Sequence, residues 1–193
     1  MRILFLSLVA LATLGLTGCS LIGENKFQQV NYYDLGTPVN RSLPNVTVQF
    51  TNFRALEAAK FKMVYHIDQS RVLIDDYNKW IQTPAFMLNR YLQFAFCQPP
   101  GSLPAPADHI YLISGTLFTF KIDMEKNQTV LGVSYVIQQR GKEALPPLVD
   151  KSVRYVSKFE KHDGLYFARA MTRTVEQFAN DIQKDIKNLE SKK

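Results

Sequence analysis

Few residues in this chain could carry chemistry: two cysteines, three histidines and the acidic pair Asp75-Asp76. Two thiols could pair, hold a metal or act as nucleophiles. The histidines His66, His109 and His162 could join them as ligands or bases. Their spacing argues otherwise. Metal ligation from one element needs neighbours three or four residues apart, and these three are scattered, with only Cys97 near enough in the chain's interior to add a thiolate. The nucleophile elbow Gly-x-Ser-x-Gly, a phosphate-cradling glycine loop and a dinucleotide fingerprint are absent. Asp75 and Asp76 are adjacent in an extended run, so their side chains point to opposite faces and read as the polar end of a strand. Asn45-Val46-Thr47 and Asn127-Gln128-Thr129 match glycosylation acceptors by chance. The residues therefore describe a protein that binds; neither catalysis nor a cofactor is expected.

The setting of Cys19 gives it a different role. Arg2 is followed by the apolar run Ile3 to Leu16, then by the small residues Thr17 and Gly18. A basic tip, an apolar core and a small-residue exit form a secretory signal peptide. The run is too short to span a bilayer comfortably, which takes about 20 residues. Leu16-Thr17-Gly18-Cys19 resembles the lipobox of bacterial lipoproteins, which implies cleavage before Cys19 and acylation of its sulfur and amino group. Several acyl chains give a stable membrane anchor. Ser20, where an aspartate would imply retention at the inner membrane, directs the expectation to the outer membrane and its periplasmic face. Cys97 is then left without an intramolecular partner and reads as a small buried hydrophobe at the end of Phe94-Ala95-Phe96, with a redox or pairing role as the alternative.

The net charge of +6 would raise nucleic acid as a partner for a cytosolic protein, but export removes that reading. Residues 1–18 are thus expected to be signal peptide, 19–30 a lipidated polar tether, and 31–193 one domain large enough for a real core. Strands are predicted over 31–35, 45–53, 61–67, 71–77, 109–124, 129–139 and 151–159, from period-two alternation and strand-forming residues. Thr83-Pro84 opens a helix whose Met87, Leu88, Tyr91, Leu92 and Ala95 share one side. The proline-rich loop 98–108 ends it. A second helix over 165–189 carries the stripe Ala168, Met171, Val175, Phe178, Ile182, Ile186 and Leu189. The fold class expected is α+β: a single, mostly antiparallel sheet of about seven strands covered by two helices.

Tyr32-Tyr33-Asp34-Leu35-Gly36 together with Met63-Val64-Tyr65, the pair Tyr77 and Trp80, and the helix opening at Pro84 resemble the ABC-type transport auxiliary lipoprotein family, which includes the intermembrane-transport lipoproteins of the paraquat-inducible type. Two positions depart from its pattern: Ile81-Gln82-Thr83 replaces an acidic residue near the tryptophan, and His66 stands where arginine is common. The resemblance implies a non-catalytic outer-membrane lipoprotein that serves an ABC-linked transporter with a mammalian-cell-entry (MCE) domain partner and moves lipid between membranes. Since MCE components form rings, a matching homo-oligomeric ring of these domains is implied too. Tyr77 and Trp80 are the candidate partner contacts, because aromatic residues carry much interface energy; the competing reading places Trp80 in the core between hairpin and helix. Loop 98–108 is a further candidate contact. The alternative function is envelope assembly, as a secretion pilot or cell-wall tether.

Overall fold

Alternating apolar and polar residues build the long strands, and the loops between them set the topology. The structure, a computed structural model, describes residues 28–51, 53–56 and 61–193. The expected signal peptide and the acylated Cys19 lie outside the described residues, as does most of the tether. Eight strands form one sheet: β1 (Asn31–Tyr33), β2 (Thr47–Phe50), β3 (Arg54–Ala55), β4 (Lys62–His66), β5 (Val72–Trp80), β6 (Ile110–Asp123), β7 (Gln128–Gln139) and β8 (Val149–Lys158). Among the described residues two α-helices, α1 (Pro84–Ala95) and α2 (Gly164–Glu190), pack on it. The α+β architecture is as expected, with one more strand, the two-residue β3.

The long ladders, β4–β5, β6–β7 and β7–β8, are antiparallel. The short ones are parallel: β1 on β5, and β2, β3 and β4 in succession along one edge of β6. The sheet is therefore mixed. Parallel neighbours need long crossovers, and α1 lies in the one from β2 to β6. The β6–β7 turn uses Asn127 at φ +49°, a left-handed conformation that asparagine tolerates, while Asp123 accepts from the Lys126 amide at 3.1 Å.

Both helices cover the same face. In α1 Met87, Leu88, Tyr91, Leu92 and Ala95 are buried, and in α2 the stripe from Ala168 to Ile186 is buried throughout. Asp163 caps α2 by accepting from the Leu165 amide at 2.8 Å; Thr83 precedes α1 without a capping side-chain bond. Phe178 of α2 sits at the centre of the core, with ring centroids 5.2 Å from Tyr135, 6.0 Å from Tyr155 and 6.1 Å from Phe53.

A row of tyrosine–carboxylate bonds fastens α2 to the sheet. Tyr155 donates to Asp181 at 2.6 Å and Tyr135 to Asp185 at 2.6 Å, and Tyr111 donates to Glu190. Lys151 adds a 2.5 Å contact to Asp185. Hydrogen bonds to an ionised acceptor are stronger than neutral ones, so these acids hold the helix at three successive strands.

Candidate docking surface

The residues that could carry chemistry turn out to be dispersed and structurally employed. His109 Nδ1 lies 2.5 Å from Glu190, beside the bond from Tyr111. His162 Nε2 lies 2.6 Å from the Asn127 side chain in a neighbouring turn. His66 stands on β4 in register with Asp123 of β6. Among the described residues no group of three or more His, Cys, Asp or Glu could hold a metal ion. Cys97 is exposed, contrary to the expected burial. The reason is positional: Phe96 caps α1 and is buried, and the next residue has already left the helix for the loop.

Asp75 and Asp76 do diverge, and Asp75 has a defined structural task. Its carboxylate accepts from the Tyr65 hydroxyl at 2.6 Å, from the Asn78 side chain at 2.7 Å, and from the amides of Tyr77 and Asn78 at 2.8 and 2.9 Å. These bonds stabilise the irregular stretch where β4 and β5 slip register. Asp76 meets Lys62 instead, at 2.5 Å. Burial pushes the Asp75 carboxyl up, but the bonds from Tyr65, Asn78 and the two amides outweigh it and hold the group below its ordinary value. A folded value below the unfolded one stabilises the fold above the ordinary carboxylate range, about pH 3.9, and that stabilisation is lost as pH falls through the folded value. Asp75→Asn should cost about 1–2 kcal/mol near neutrality. The gap to the wild type should close as pH falls below 4, which urea titrations at stepped pH would measure.

The two candidate contact residues separate. Trp80 is 2% exposed, with its ring edge-on to Phe120 at 5.3 Å, and its amide donates to the Phe61 carbonyl at 2.6 Å. It is a core residue, which removes it as a surface contact. β5 ends by turning its last side chain inward into the core. Tyr77 stays 42% exposed.

Tyr77 belongs to a larger exposed feature. β1 covers only Asn78–Trp80 of β5, so among the described residues no strand pairs with the outer edge of Val72–Tyr77. That edge carries Val72, Leu73 and Ile74 in succession, each about half exposed. An unpaired, apolar edge is a ready template for another chain. In loop 98–108, Leu103 is 86% exposed, while the Gln98 amide anchors the start of the loop to the Leu43 and Val46 carbonyls. A separate open groove of about 710 Å³ runs between residues 34–40 and α1, lined by Met87, Tyr91 and Phe94, with Arg90 paired to Asp34 inside it.

No protein-family model and no curated protein matches the chain. Solved structures do. A crystal structure of an uncharacterized protein is 14% identical and superposes at a TM-score of 0.65, over 82% of this chain and 99% of that one. Protein XCC0632 from Xanthomonas campestris, described under DUF330, is 12% identical at a TM-score of 0.65, over 86% of this chain and 100% of its own. A Caulobacter crescentus CB15 protein, provisionally described as a lipoprotein, reaches only 0.39 over 56% of this chain, at 15% identity. At these identities the first two likenesses concern the fold alone.

Proposed function

We propose that this chain is the lipid-anchored, non-catalytic docking subunit of an ABC-linked, MCE-type intermembrane lipid transport system, held at the outer membrane through Cys19 and facing the periplasm. The observation that carries the reading is the outer edge of β5 with its exposed Val72, Leu73, Ile74 and Tyr77, which no strand among the described residues pairs with, a surface suited to receiving a strand of a partner protein. The lipobox around Cys19 and the resemblance of the hairpin and first helix to the auxiliary lipoproteins support it. The titratable groups support it as well, since Asp75, Asp185 and Glu190 are all engaged in holding strands and helix together.

The test is recovery of partners from gently solubilised envelopes with the mature lipoprotein as bait, read by mass spectrometry. An MCE-domain protein with its ABC partners is the expected catch. The chain carrying Leu73→Glu and Tyr77→Ala should keep its fold and lose that catch at least tenfold, since both positions are exposed and a like change at an interface centre costs more than about 1.4 kcal/mol. Secretion or cell-wall components in place of the MCE protein, across crosslinked repeats, would replace this reading with the envelope-assembly one.

A further inference from the structure

Both helices lie on one face of the sheet, and among the described residues no helix covers the other. On that open face the alternation of β6, β7 and β8 sets Phe118, Val130 and Val156 together. Val130 is buried without joining the main core. The Phe118 ring lies across the sheet above Gly132, 2.4 Å from where a Cβ would stand. Around this apolar centre stand four cations. Arg54 is in register with Thr116, Lys121 with Val130, Arg154 with Gly132 and Lys158 with Gln128. Their chain neighbours Phe53, Phe120, Ile122, Tyr155 and Phe159 pack into the core, which places the four on the opposite side.

Charge on this face is unbalanced. Asp76 is paired with Lys62, and Asp123 is buried and accepts from the Lys126 amide. Asp150 is the remaining exposed carboxylate there among the described residues. Arg54, Lys121, Arg154 and Lys158 have no ion-pair partner among the described residues. A face that couples an apolar centre to unpaired cations complements an anionic lipid surface, where phosphates meet the charges and interfacial methylenes meet Phe118 and Val156.

We propose that this open sheet face docks on anionic phospholipid headgroups. For its location the proposal rests on the membrane-anchored reading above: an extended chain from Cys19 to Gln28, where the described residues begin, reaches about 30 Å, short enough to hold the domain against the bilayer. The binding itself does not depend on the anchor, and that makes it testable apart from it. The chain from Ser20 onward, free of any acyl group, is sedimented with phosphatidylcholine vesicles with and without phosphatidylglycerol. It should bind only the anionic vesicles, and less as salt is raised. Each basic residue near such a surface is worth roughly fivefold in partition, so replacing Arg54, Lys121, Arg154 and Lys158 together by Gln should lower binding by about six-hundredfold. Replacing Arg169, Lys184 and Lys187 of α2 and Lys192 just beyond it by Gln removes the same charge from elsewhere and should leave most of the binding. Thermal melts establish that both variants fold. Equal losses in the two variants, or binding that ignores phosphatidylglycerol, would overturn the proposal. So would a sheet-face variant that binds vesicles normally yet no longer recovers its envelope partners, since the face would then belong to a protein.

Discussion

Trp80→Ala is expected to destabilise the domain by about 3–5 kcal/mol, the range for truncating a large buried aromatic side chain. Several observations combine to put it at this end of the scale. The indole is 2% exposed and its edge-on contact with Phe120 is lost outright. It also closes β5 at the point where β1 adds to the sheet, with Tyr33 in register beside it. The surrounding backbone is held by hydrogen bonds on either side, from Trp80 to Phe61 and from Ile81 to Tyr33, so the cavity has little room to collapse. Against a typical total stability of about 5–15 kcal/mol, this loss would leave a substantial unfolded population at elevated temperature. Tyr77→Ala, three residues earlier and half exposed, should stay within about 0.5 kcal/mol. Urea denaturation followed by far-UV circular dichroism would measure both. In the wild type the single tryptophan is itself a core probe, and its emission should shift to the red in the same transition. A Trp80→Ala chain as stable as the wild type would mean that the indole does not fill the core.

The contrast between Tyr77 and Trp80 shows what the sequence could and could not say. Alternation locates the strands, and the three-to-four spacing of Ala168, Met171, Val175 and Phe178 locates α2 and its buried face. Neither pattern says which strands become neighbours. The short parallel pairings of β1 with β5 and of β2, β3 and β4 with β6 join segments far apart in the chain, and no local signal encodes them. β3 is two residues long, below the length at which alternation can be recognised. Cys97 illustrates the opposite error: an apolar run predicts burial only while the element that produced it continues. The exposed edge of β5 was half legible. Tyr77 stood out as an aromatic near a hairpin, but the exposure of Val72, Leu73 and Ile74 follows from β1 stopping short, which is a fact of sheet assembly. The open face was more accessible, because Arg154, Val156 and Lys158 alternate with residues of the core in β8.

The acids of α2 were the least legible of all, and Asp185 gives the second large effect. In the sequence it sits between Lys184 and Ile186, outside the apolar stripe. In the structure it is 7% exposed and receives the Tyr135 hydroxyl and the Lys151 ammonium. One hint was available: Asp181 and Asp185 are four residues apart, flanking Ile182 on the edge of the apolar stripe. Asp185→Ala should cost about 3 kcal/mol, because it leaves the buried Tyr135 hydroxyl without its acceptor and Lys151 without its partner. The loss falls short of the extreme for buried pairs because the Lys151 side chain is 45% exposed and water can take over its solvation. Tyr135→Phe alone should cost about 1 kcal/mol, since it removes the donor and leaves Asp185 paired to Lys151. With Tyr135→Phe already in place, Asp185→Ala no longer strands a hydroxyl, so the double variant should be more stable than the sum of the single changes predicts by about 1–2 kcal/mol. Urea denaturation of the four chains closes the cycle. Strict additivity would mean that Tyr135 and Asp185 stabilise the helix independently of each other.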